Sequence, residues 1–263
     1  MITLASFVPH PPLLIPEIGQ DNLGKLAATV QAYQYLEHEL YAAQVDTVLV
    51  ISPHSEIREK AFTINQSPKL RTNFKDFGDL ITNFVFDTDL SWGYQIKESC
   101  ETTLPIILSA VEVIDYGTAV PLYYLAKNRP GLKVVALNPS QLSRAEHVRF
   151  GQIIREAAAV SSKRIALIAS GDLSHRLHKD SPAGYSARAH EFDQQIRKLL
   201  KEKKIKEIID LPEDMVREAG ECGYRSLLIL LGAIGDMNFA TQELAYEAPF
   251  GIGYLTVNFK ILR

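Results

Sequence analysis

The stretch Arg164–His175 reads RIALIASGDLSH: an apolar, β-rich run that stops at Gly, Asp, Leu, Ser and His. A strand ending in such a cluster presents polar side chains at the carboxyl edge of a sheet, where α/β folds keep their chemistry. The surrounding sequence repeats the pattern. Thr3–Val8 (TLASFV) and Thr47–Ile51 (TVLVI) are short, β-rich runs bounded by turn residues, and Leu23–Tyr41 between them carries apolar residues at helical spacing.

Alternation continues along the chain. Ala61–Asn65 and Phe84–Asp87 read as strands around a polar, exposed loop, Gln66–Asp79. Leu90–Ser99 suits a helix, Val111–Gly117 a short strand, Ala119–Leu125 a helical turn and Lys133–Ser140 a strand. Ser143–Ser161, Ala183–Lys203 and Lys206–Asp210 read as helices, Met215–Leu231 as a helix pair or one broken helix, and Gly251–Ile261 as a closing strand with period-two alternation. The expected fold is α/β: three α/β/α layers around a central mostly parallel or mixed sheet, formed by residues 1–263 as one domain.

Composition narrows the function. At 263 residues and 46% hydrophobic, the chain can bury a large core. A net charge of −3 without basic or acidic blocks gives no electrostatic footprint for nucleic acid or an anionic membrane. The expected partners are small molecules or protein subunits. Two cysteines, Cys100 and Cys222, make no disulfide framework, and the opening MITLASFVPHPP lacks the pattern of a secretory signal, so the expected location is cytoplasmic. Apolar stretches such as Ser226–Ile234 fall short of the roughly 20 residues a membrane helix needs, and read as core.

Three of seven histidines sit just past an expected strand: His10, His54 and His175. In a mostly parallel sheet those ends share one edge, so three imidazoles can converge across long sequence separations. Imidazole is the commonest ligand for divalent transition metals, and a His pair with one carboxylate leaves positions open for substrate and oxygen. Taken singly, a histidine beside proline is as often a loop residue bonded to backbone. His38 and His147 lie in charged stretches and read as solvated; His178 and His190 lie near the site loop.

Together, VPHPPLL around His10, ISPHS around His54, SGDLSH around His175 and AGECGYRSLLILLGA near the carboxyl end resemble the class III extradiol ring-cleavage dioxygenases, a superfamily that includes the β-subunit of protocatechuate 4,5-dioxygenase and the Memo-like proteins. The resemblance runs from Ile2 to Phe259. It implies a non-haem Fe(II) site, or another divalent metal such as Zn or Cu, held by His10, His54 and a late carboxylate, with a small aromatic substrate, O2 and a homo-oligomer. Glu221 is the first candidate for that carboxylate. Cys222, where Memo-like proteins place a cysteine ligand, and Glu247 are its rivals. A helix cap or turn explains either glutamate equally well, and a buried apolar side chain explains Cys222. His175 takes the family's acid/base part, with Asp172 orienting it or capping the loop and Ser174 placed to donate to a ligand oxygen. One departure stands out. Tyr116, in DYG, replaces a second acid/base histidine of the family, and a phenol with an ordinary pKa near 10 is a poor proton acceptor at neutral pH. The resemblance therefore implies either ring cleavage of a catechol by O2 or a Memo-like metal-binding role with little or no cleavage.

Overall fold

The computed structural model describes residues 1–55 and 57–262. Its strands are β1 (Ile2–Val8), β2 (Thr47–Ile51), β3 (Phe62–Asn65), β4 (Lys69–Arg71), β5 (Val85–Thr88), β6 (Ile106–Ser109), β7 (Lys133–Asn138), β8 (Ile165–Ser170), β9 (Phe239–Glu247) and β10 (Tyr254–Ile261). The helices are α1 (Pro16–Gly19), α2 (Ala27–Ala42), α3 (Leu90–Cys100), α4 (Tyr116–Leu125), α5 (Arg144–Ala159), α6 (Ala187–Lys201), α7 (Ile205–Ile209), α8 (Glu213–Ala219) and α9 (Tyr224–Ile234). Among the described residues no helix is long and apolar enough to cross a membrane.

All ten strands join one mixed sheet in the order β4-β5-β7-β2-β8-β1-β10-β9, with β3 and β6 branching from β7. β5, β7, β2, β8 and β1 run parallel, whereas β10 and β9 are antiparallel. The central strands are apolar on both faces because helices cover both. Side chains alternate along a strand, so Leu49 and Ile51 of β2 and Leu167 and Ala169 of β8 enter a core with α3, α5, α6 and α9. Their neighbours Val48, Val50, Ala166 and Ile168 enter a second core with α2 and α4. The expected three-layer α/β/α architecture is present. Ser226–Ile234 is buried throughout, as a core segment should be.

Differences from the expected elements have local causes. Val111–Gly117 is not a strand: Asp115 accepts the Thr118 N–H (3.0 Å) and starts α4 at Tyr116, so capping outweighs the β-branched residues before it. The Gln66–Asp79 loop is only partly exposed, since Leu70 and Phe74 are buried and Lys69–Arg71 pairs with β5. β6 and β9 had no clear alternation; β9 is half-exposed on both faces. His147 is not solvated. It is buried, with Nδ1 bonded to the Ser143 carbonyl (2.8 Å), whereas His38 is exposed as expected.

The register decides where the site lies. Val8 of β1 pairs with Ser170 of β8, and Ile51 of β2 pairs with Ala169. The loops carrying His10, Gly171–His175 and His54 therefore leave three adjacent parallel strands at one level, on the carboxyl edge.

Candidate metal centre

His10 is 1% exposed and fixed at both ends of its ring. Its Nδ1 lies 2.7 Å from the Ser170 hydroxyl, and that hydroxyl donates its one hydrogen to the Gly117 carbonyl (2.5 Å). Nδ1 must therefore donate, which leaves Nε2 a bare lone pair. Burial lowers the His10 pKa to about 4, so the ring is neutral. Burial likewise lowers His54. His10 Nε2 faces His54 Nε2 at 2.8 Å and Cys222 Sγ at 3.5 Å, and the Tyr116 hydroxyl reaches His54 Nε2 at 2.9 Å. Without metal, His54 Nε2–H can donate to the bare His10 lone pair; in its other tautomer His54 would turn its own lone pair to the same point, and a divalent cation there would take both.

Cys222 reaches this point on the turn between α8 and α9. Gly220 adopts φ 65°, ending α8, and the turn before α9 carries Glu221 and Cys222. A Cβ on Gly171 would come 2.1 Å from the Cα of Gly223, so these two glycines let the turn press against the end of β8. The Asp172 N–H bonds Cys222 Sγ (3.2 Å) and the Gly223 N–H bonds the Asp172 carbonyl (3.0 Å). Burial pushes the Cys222 thiol well above its ordinary range, with the Asp172 carboxylate adding to the effect. The protein alone keeps it protonated; a bound cation is what would ionise it.

Two groups of ligand-type side chains have their donor atoms within 4.8 Å of one another among the described residues: His10, His54 and Cys222, and Asp172, His175 and Cys222. Glu221 belongs to neither. Its carboxylate accepts the Tyr224 N–H (2.5 Å) at the start of α9, and burial pushes it up to about 7. It faces a separate hollow of about 980 Å³ beside Arg144 and Arg225. Glu247 is farther removed: its carboxylate accepts the backbone N–H groups of Ala28 (3.2 Å) and Thr29 (2.8 Å) and caps α2. Of the three candidates for a third ligand, the fold brings only Cys222 to the two histidines. Imidazole with thiolate fits a divalent transition metal such as iron, zinc or copper.

Asp172 stands between the histidines. It accepts the His10 N–H (3.0 Å), lies 3.7 Å from His175 Nε2 and 3.9 Å from His10 Nε2. Burial alone would raise its pKa, but the two histidines and the backbone N–H outweigh that and hold it low. For His175, burial is outweighed by the neighbouring Asp172 carboxylate, which raises its pKa. Burial pushes the Tyr116 phenol above its ordinary range, which makes it a hydrogen-bond donor rather than a base. Above these groups lies a cavity of about 370 Å³, near the lower limit for ligand sites, lined by His54, Tyr116, Asp172, His175 and apolar walls. His178 and His190 are exposed and stand apart, their rings 6.3 Å from each other.

Several supporting residues carry little sequence signal. Ser170 is visible only as the polar end of an apolar run. Asp115 accepts from Ser52 (2.5 Å) and caps α4, so it positions the His54 loop and Tyr116 together. Ser174 turns away from the cavity and donates to the Ala219 carbonyl (2.9 Å). Asp193 of α6 accepts the Ser174 N–H (2.9 Å) and the Tyr246 hydroxyl (2.8 Å), anchoring the loop from beneath.

Burial pushes the Asp193 carboxyl up to about 6, so the native state holds this proton more tightly than the unfolded chain. Stability from this group is full below the unfolded pKa near 4 and is lost as pH rises through about 6. The Asp193→Asn protein should therefore gain on wild type between about pH 4 and about pH 7.5, by up to about 3 kcal/mol in denaturant titrations. An offset equal at both pH values would contradict this.

Comparison with known proteins accords with the geometry. The chain belongs to the family described as the catalytic LigB subunit of aromatic ring-opening dioxygenase, which it matches over residues 4–257. It is 29% identical over 259 residues to Protein CA_C1420 of Clostridium acetobutylicum, covering 94% of this chain. The chain spans about half, 55%, of that relative's length. It is 25% identical over 259 residues to the 3,4-dihydroxyphenylacetate 2,3-dioxygenase of Escherichia coli, covering 89% of this chain and 90% of that protein. In fold it is similar to the crystal structure of the uncharacterized protein JW3007 from Escherichia coli K12, with TM-score 0.70, 18% identity, and 97% and 99% of the two chains covered.

Proposed function

We propose that this chain is a metal-dependent dioxygenase that opens a catecholic ring with O2, using Fe(II) held by His10, His54 and Cys222. The observation that carries this reading is the meeting of His10 Nε2, His54 Nε2 and Cys222 Sγ within 4.8 Å of one another, with His54 also lining a cavity that presents His175. Fe(II) held there would supply Lewis acidity toward a catechol and electron density for oxygen chemistry.

The protein's own groups do the rest. Ser170 fixes the His10 tautomer and so aims its free lone pair at the site. His175 takes a proton from a catechol hydroxyl and returns one to the ring-opened product, with Asp172 stabilising the imidazolium between the two steps. Tyr116, which lines the cavity, offers its hydroxyl as a hydrogen-bond donor to an oxygen there and abstracts no proton. Apolar walls keep water from the reacting ring.

A second reading is favoured by Cys222 and Tyr116 themselves: a Memo-like protein that binds metal and performs a redox or interaction role without ring cleavage. Anaerobic loading with Fe(II), followed by oxygen uptake on a panel of catechols, separates the two. Oxygen uptake matching catechol loss supports the dioxygenase; stoichiometric metal with no uptake overturns it in favour of the second reading.

The Ser170→Ala protein should fold and lose about 10- to 100-fold in metal affinity, the effect typical of an outer partner to a ligand histidine. Equilibrium dialysis checks this, and unchanged affinity would contradict the tautomer argument.

A further inference from the structure

We propose that the cavity takes a catechol with no charged substituent, oriented by the hydroxyl of Tyr254. This rests on the dioxygenase reading. Away from its polar floor the cavity is walled by Pro11, Pro12, Leu13, Pro182, Ala183 and Ile252. No lysine or arginine lines it among the described residues. Its one acidic group, Asp172, is already turned to His10 and His175. A carboxylate on a ring substituent would thus leave water for walls that carry no cationic side chain, with the like charge of Asp172 nearby, an arrangement that disfavours binding. His175 does not change this, because its charge is matched by Asp172.

Tyr254 supplies the recognition. At the start of β10 it is 1% exposed, yet its hydroxyl has no hydrogen-bond partner among the described residues. The other buried phenols do: Tyr33 donates to the Pro9 carbonyl (2.6 Å) and Tyr224 to the Ile208 carbonyl (2.6 Å). The hydroxyl itself is not sealed from solvent, so it opens onto the cavity that the residue lines and is free to bond a ligand oxygen there. A neutral substrate oxygen satisfies it. The volume of about 370 Å³ suits a single ring with a small apolar substituent.

The test uses two readouts on the full chain. Oxygen uptake by the Fe(II)-loaded protein compares catechol and methylcatechol with protocatechuate and 3,4-dihydroxyphenylacetate. Calorimetry measures binding of the same compounds to Zn(II)-loaded wild type and Tyr254→Phe. The uncharged pair should lead in kcat/KM by at least about tenfold, a difference worth about 1.4 kcal/mol. Tyr254→Phe should weaken their binding by about 3- to 10-fold, one neutral hydrogen bond, with unchanged metal content and melting temperature. Acidic catechols turned over as well or better, or Tyr254→Phe binding like wild type, would overturn this inference and leave the dioxygenase reading standing. Absence of both binding and uptake for every catechol would overturn the dioxygenase reading and this inference with it.

Discussion

The His10→Ala and His54→Ala proteins are expected to fold normally and to lose at least about 100-fold in metal affinity, beyond what outer partners of a ligand contribute. His10 Nε2 lies 2.8 Å from His54 Nε2 and 3.5 Å from Cys222 Sγ, so each imidazole is one of few donors within reach of a single ion. Neither substitution removes much core. The rings lie at the carboxyl edge, past the strands, and the apolar layers on both sheet faces remain. Removing His10 also frees the Ser170 hydroxyl from one partner, although its bond to the Gly117 carbonyl persists. Metal analysis after dialysis, alongside circular dichroism, reads the result. Wild-type metal content in either variant would remove that histidine from the ligand set.

For His175→Gln, metal content should stay at the wild-type level while turnover of catechols falls about 10²- to 10⁴-fold, the usual share of a positioned acid/base group. His175 lies with Asp172 and Cys222 rather than in the group formed by His10 and His54. Its Nε2 is 3.7 Å from Asp172, whose carboxyl stays ionised and so raises the basicity of the imidazole. Glutamine keeps a polar side chain near Asp172 but carries no titrating proton. Loss of metal together with activity would place His175 among the ligands instead.

Much of this site was legible in the sequence because the position of a parallel strand's end follows from where its apolar run stops. SFVPHPP, VLVISPHS and ALIASGDLSH each announce that end, and the ladder of β2, β8 and β1 brings His10, His54 and His175 together. Which residue joins the two histidines was not legible. Glu221 and Cys222 are adjacent, and which of them meets the histidines depends on the left-handed turn at Gly220 and on the contact of Gly171 with Gly223. Those are tertiary facts without a local period. Tyr254 was hidden for a similar reason, since nothing in GIGYLTV reveals that its hydroxyl lacks a partner. Strand β9 escaped notice because neither of its faces is consistently apolar.

The three-donor centre is tested most directly by titrating the metal-free protein with Co(II) and following absorbance in wild type, Cys222→Ser and Glu221→Gln. Binding of about one ion per chain is expected, with a thiolate-to-cobalt charge-transfer band retained in Glu221→Gln and lost in Cys222→Ser. A band that is absent from wild type, or cobalt binding that survives Cys222→Ser unchanged but fails in Glu221→Gln, would contradict it.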